Sequence, residues 1–154
     1  MCTVSFIPKV NGDFILTSNR DESPNRSTIP PGIYELNDTR LLFPKDAYRL
    51  SRGIIVKNLL TVKDAVVEID LINLNDIEPF TIILVEYLKE LKLYELVWDG
   101  KNKYFSEKEL NPIIWSSSLL YSKEIKFKRE KWFSEFMKND NNPNKNDVLS
   151  FHKN

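Results

Sequence analysis

Two apolar-rich runs, residues 2 to 7 and 13 to 18, flank Val10-Asn11-Gly12-Asp13 at the start of the chain. The Asn-Gly pair supplies the positive φ angles of a tight turn, so the two runs predict a β-hairpin that returns Ser18 to Asp21 beside Cys2. Residues 23 to 31 are polar and carry Pro24, Pro30 and Pro31, which excludes a helix and favours an extended loop. A second short hairpin is expected from Ile33–Leu36 and Arg40–Phe43 around Asn37-Asp38.

Further along, Ile54, Ile55, Leu59 and Leu60 fit a helix that Ser51 can cap. Val62, Ala65, Val66 and Ile69 predict a second helix starting at Thr61. Phe80 to Val85 reads as a buried strand, and Tyr94 to Trp98 as another. Asp99-Gly100-Lys101-Asn102 turns the chain into Lys103–Phe105, and Ile113-Ile114-Trp115 is one more strand, ending at three serines. Ser122 opens a long amphipathic helix to about Lys138, with Ile125, Trp132, Phe133 and Phe136 on one face. Asn139 to Asn146 is expected to be a polar loop. Strands, helices, strands and a helix in that order indicate a single α+β domain over residues 1–154.

Composition narrows the classes. The formal net charge is zero, from 22 basic and 22 acidic residues, so no field favours nucleic acid or an anionic membrane. The longest apolar run, Phe80 to Val85, falls far short of the ~20 residues that span a bilayer. One cysteine makes no internal disulfide. With a single residue ahead of Cys2 no secretory leader is expected, and a reducing cytoplasm is the expected compartment. Cys2 and His152 alone cannot build a zinc site, and glycine is too scarce for a phosphate-cradling loop, so neither metal nor cofactor is expected. His152 is expected to be exposed, and Trp98, Trp115 and Trp132 to be core. The basic run from Lys123 to Lys131 is interleaved with acids and reads as a solvated helix face.

Candidate chemistry sits at the start of the chain. Removing Met1 would place a thiol and a free α-amine on the same carbon of Cys2. An α-amine titrates near pH ~8 and a thiol near ~8.5, so the amine can act as base for its own side chain. Met-Cys-Thr followed by a strand ending in Asn19-Arg20-Asp21-Glu22 resembles the NRDE family, named for that tetrapeptide. Its eukaryotic members are the transport-and-Golgi-organisation protein 2 homologues. Phe43-Pro44-Lys45-Asp46, Ser51-Arg52-Gly53, Tyr94 to Gly100 and Ile114-Trp115-Ser116-Ser117-Ser118 carry the resemblance along most of the chain.

The resemblance implies the four-layer αββα sandwich of N-terminal nucleophile (Ntn) hydrolases and an amidohydrolase or acyltransferase activity on a small amide. In that reading Cys2 is the nucleophile, Asp21 bonds the α-ammonium and Arg20 holds the thiolate or a substrate anion. Asn19 and Arg26 would contact substrate. Ser117 stands where related families have an oxyanion-binding asparagine. A hydroxyl can donate there with shorter reach and freer direction. Each residue also has an ordinary alternative: a packed cysteine, a turn ion pair for Arg20 and Asp21, a turn-shaping Asn19, a solvated Glu22 and helix-capping serines.

The resemblance breaks at Ala47. Family members continue there into a Gly-Gly-Thr-Trp segment and strands bearing a Leu-Asn-Gly motif, whereas Ala47 runs straight into Tyr48-Arg49-Leu50-Ser51. Part of the sheet, one oxyanion asparagine and the C-terminal strands are thus missing relative to the family. The segment after Ala47 is either truly absent or present in a longer intact protein; because its loss would break the central sheet, the second is expected. The other reading is a non-catalytic binding or trafficking protein for a hydrophobic cargo such as haem or lipid. No axial-ligand pair supports haem specifically.

Overall fold

The computed structural model describes residues 2–20, 52–87, 89–116 and 122–153, apart from the side chains of Cys2, Asn19 and Arg20. In chain order the elements are β1 (Cys2–Pro8), β2 (Phe14–Arg20), α1 (Arg52–Thr61), α2 (Ala65–Leu71), β3 (Phe80–Glu86), β4 (Lys92–Trp98), β5 (Lys103–Lys108), β6 (Ile113–Ser116), α3 (Lys123–Asn139) and α4 (Lys145–Lys153). Among the described residues they form two three-stranded antiparallel sheets with four helices, an α+β protein. The expected loop at 23–31, the hairpin at 33–43 and the Ser51 cap lie outside the described residues. The chain divides into two compact units, one of Met1–Ser27 with Glu109–Asn154, the other of Thr28–Lys108.

In the first unit the sheet order is β2-β1-β6, so β1 is central. The β1–β2 turn differs from the expected one: Gly12 alone adopts a positive φ, +84°, and Asn11 does not. Gly12 N–H donates to the Lys9 carbonyl at 3.1 Å and Lys9 N–H to the Asp13 carbonyl at 2.8 Å. This is a three-residue loop in which a type I turn is closed by glycine in the left-handed region. Asn11 contributes its side chain instead, accepting from Asp13 N–H at 3.2 Å.

Thr3, Ser5 and Ile7 alternate onto the face of β1 that meets α3 and α4, and all three are buried. Ile7 joins Phe133 of α3 and Val148 of α4 in a core completed by Ile15, Ile114, Phe136, Met137 and Phe151. Ser122 caps α3 as expected, its hydroxyl accepting from Ile125 N–H at 3.4 Å. Two members of the expected apolar face miss the core, because Ile125 and Trp132 are about half exposed. Trp132 instead lies under the Lys128 ammonium, 4.9 Å from its ring centre.

Residues 139 to 146 are not a plain loop, since α4 begins at Lys145. Asn144 Oδ1 accepts from Asp147 N–H at 3.3 Å while Asp147 Oδ2 accepts from Asn144 N–H at 2.9 Å. This reciprocal capping box starts the helix.

In the second unit Ile55, Leu59, Ile69, Leu74, Ile77, Leu96 and Trp98 form the core, with Phe80, Ile82, Leu84 and Phe105 packed against it. The second helix begins later than expected: Thr61 ends α1, and Asp64 caps α2 by accepting from Val67 N–H at 3.0 Å. The carboxylate satisfies a first-turn amide, while the Thr61 hydroxyl donates back to the Asn58 carbonyl at 3.0 Å. Lys103 Nζ closes the other end of α2, donating to the carbonyls of Ile69 at 2.6 Å and Asp70 at 2.9 Å. β3 is half-buried along most of its length rather than buried. Asp99 shapes the β4–β5 turn, accepting at 2.7 Å from the N–H groups of both Lys101 and Asn102. These bonds hold its carboxyl below the usual carboxylate range.

Candidate functional site at the start of the central strand

A strand end is a useful place for a reacting group when neighbouring strands fix its backbone. The antiparallel register sets the Cα of Cys2 opposite Arg20 and that of Thr3 opposite Asn19. On the other side of β1, Thr3 lies opposite Ser116, the last residue of β6. The hairpin therefore brings the backbone of the Asn19-Arg20 pair beside Cys2, and β6 reaches the same end of the sheet one residue before Ser117. The hairpin turn and the length of two seven-residue strands produce this juxtaposition. Asp21, Glu22, Arg26, Ser117 and Ser118 lie outside the described residues, as do the side chains of Cys2, Asn19 and Arg20.

The helix-facing side of β1 carries two polar contacts that the sequence reading missed. Arg129 Nη1 of α3 donates to Thr3 Oγ1. Ser5 Oγ lies 2.8 Å from His152 Nε2 of α4. Both hydroxyls belong to buried residues, Thr3 at 2% exposure and Ser5 at 0%, and burying a hydroxyl without a partner is costly. Each helix thus contributes one polar side chain that satisfies the strand beneath it. His152 is half-buried, not exposed as expected, because the capping box at Asn144 starts a helix that carries it back onto the sheet. Likewise Arg129 is half-buried within an otherwise largely solvated basic run.

A hydroxyl 2.8 Å from an imidazole has the spacing of a nucleophile and its base. Ser5, however, is fully buried, so no substrate carbonyl can approach it. Its role is to join β1 to α4.

A groove of about 450 Å³ runs between β6 and α3, lined by Ile113, Ile114, Phe133 and Met137 with Glu130 and Lys138 at its rim. Pro112 and Ser134 complete its lining. In the second unit, burial pushes the Tyr94 phenol above its ordinary range, with the carboxylates of Glu107 and Glu86 adding to the effect. Among the described residues no group of three His, Cys, Asp or Glu side chains is placed to hold a metal ion. Among the same residues no helix is long and apolar enough to cross a membrane.

No protein-family model, curated protein or solved structure matches this chain.

Proposed function

We propose that the protein is an Ntn-type amidohydrolase or acyltransferase that uses Cys2 after removal of Met1. The supporting observation is the register of β1: the residue that would become the terminus opens the central strand and sits opposite Arg20. The proposal includes the four-layer αββα arrangement, in which the central strand presents its first residue at the sheet end.

The chemistry runs in two steps. The Cys2 α-amine takes the thiol proton, and the sulfur attacks the carbonyl carbon of a small amide. Ser117 donates to the developing oxyanion, Arg20 supports the thiolate or a substrate anion, and Asp21 orients the amine. Asn19 and Arg26 hold the substrate. The C–N bond breaks, the amine leaves with the proton and a thioester remains on Cys2. Water or an acceptor amine then attacks the thioester, and the thiol is regenerated. No metal, cofactor or nucleic acid enters this scheme, and an unpaired cysteine suits a reducing cytoplasm.

The test is turnover of a panel of small amides by the processed protein and by its Cys2→Ala variant. Release of amine by the first and none by the second is expected, and equal rates would remove the proposal. A second reading, a non-catalytic binder of a hydrophobic cargo on the same scaffold, draws on Ser117 standing where related families have an oxyanion-binding asparagine. It predicts no turnover by either protein and retention of Met1, which would block the amine.

A further inference from the structure

We infer that Arg129 is a positioning residue for Cys2, acting through Thr3. This rests on the hydrolase reading given above and extends it to a residue outside the motif at the start of the chain.

A nucleophile at a chain terminus faces a physical difficulty, because terminal residues fray unless something ties them down. Cys2 is held by β2, opposite Arg20, and the residue that would face it on the β6 side lies outside the described residues. Thr3 is paired on both sides, with Asn19 and with Ser116. These ladders constrain Thr3 within the sheet. The third direction, perpendicular to the sheet, is set by its side chain, which is 2% exposed and accepts a charge-assisted bond from Arg129. Arg129 belongs to a 17-residue helix whose start is fixed by the Ser122 cap and whose apolar side is packed by Phe133 into the core beneath β1. The guanidinium is therefore held by a rigid element and fixes the residue bonded directly to Cys2. A buried valine at position 3 would fill the same space without any need for Arg129. A threonine bonded to an arginine confers direction as well as packing.

Because a misplacement of about 1 Å can lower a rate by roughly a hundredfold, the anchor should act on the chemical step rather than on substrate affinity. Thr3→Val keeps the shape and removes the acceptor, Thr3→Ser keeps the acceptor, and Arg129→Met keeps most of the stem. Lys128→Gln, next along the same helix and exposed, is the control.

For turnover of an amide that the wild type cleaves, Thr3→Val and Arg129→Met are each expected to lower kcat by about 10- to 100-fold with KM within about twofold. The double variant should lose no more than either single, because both remove one bond. Thr3→Ser and Lys128→Gln should stay within about threefold of wild type. Additive losses in the double variant, or equal losses in Thr3→Val and Thr3→Ser, would overturn the inference.

Amide hydrogen exchange of the peptide covering residues 2–8 supplies a readout independent of activity. Faster exchange in Thr3→Val and in Arg129→Met, with no further increase in the double variant, supports the anchor. Unchanged exchange overturns it. Should Cys2→Ala turn over amides like the wild type, the hydrolase reading falls, while the exchange data still decide whether Arg129 anchors the strand.

Discussion

Trp98→Phe is the substitution whose energetic consequence follows most directly from the packing. Trp98 is 6% exposed, and its indole Nε1 donates to the Ile77 carbonyl at 2.9 Å, in surroundings of Ile55, Leu59, Ile69 and Leu96. Phenylalanine removes the only donor the side chain possesses and leaves that carbonyl in an apolar environment, a loss of about 1–3 kcal/mol. The ring is also smaller by roughly 40 Å³, which at about 24 cal/mol per Å³ adds ~1 kcal/mol for the cavity. The sum, about 2–4 kcal/mol, corresponds to a fall of roughly 6–12 °C in Tm for a chain of this size. Urea and thermal unfolding followed by far-ultraviolet circular dichroism measure both quantities. Trp132→Phe is the matched control, because that ring is 48% exposed and rests under Lys128, so a change below ~0.5 kcal/mol is expected. Equal losses at the two positions, or less than ~1 kcal/mol at Trp98, would refute the packing argument.

Gly12→Ala should cost about 1–2 kcal/mol through backbone strain alone, since φ is +84° and nothing lies within 4 Å of an added Cβ; Gly12→Asn should recover part of it in the same urea titration. His152→Ala should destabilise the protein by about 1–3 kcal/mol by leaving the buried Ser5 hydroxyl without its imidazole partner, and a cycle with Ser5→Ala isolates that bond. Asp99→Ala should lower the urea midpoint near neutral pH. Because the folded carboxyl titrates below the ordinary 3.8, its contribution is present above that pH and is lost as acid carries the protein through the lower folded value, so the gap between the two unfolding curves should narrow as the pH falls below 3.8.

The elements legible in the sequence are those in which local chemistry and packing agree. Ser122 followed by an apolar stripe defined the start of α3, and Asn11-Gly12 marked the hairpin that returns β2 beside Cys2, though not the three-residue loop that sets Arg20 opposite it. Where two signals compete, the sequence reading went astray. The asparagine-rich stretch before Lys145 looks like a solvated loop, yet Asn144 and Asp147 at capping-box spacing start a helix. Missing that helix made His152 look like a residue of a solvated tail. The helical spacing that included Trp132 in the core did not account for the Lys128 ammonium, which gives the ring a partner at the surface. Of the candidate site, the return of β2 beside β1 was legible from the turn residues and strand lengths, whereas the register was not, because the loop is one residue longer than an Asn-Gly turn. The Arg129–Thr3 and His152–Ser5 contacts were not, because they join residues 126 and 147 positions apart.

Mass spectrometry of the purified protein before and after treatment with an acylating amide analogue reaches the centre of the account. A mature chain lacking Met1, with the acyl group mapped to Cys2 as its first residue, is the predicted result. An acyl group mapped elsewhere, or full labelling of a chain that still carries Met1, would contradict it.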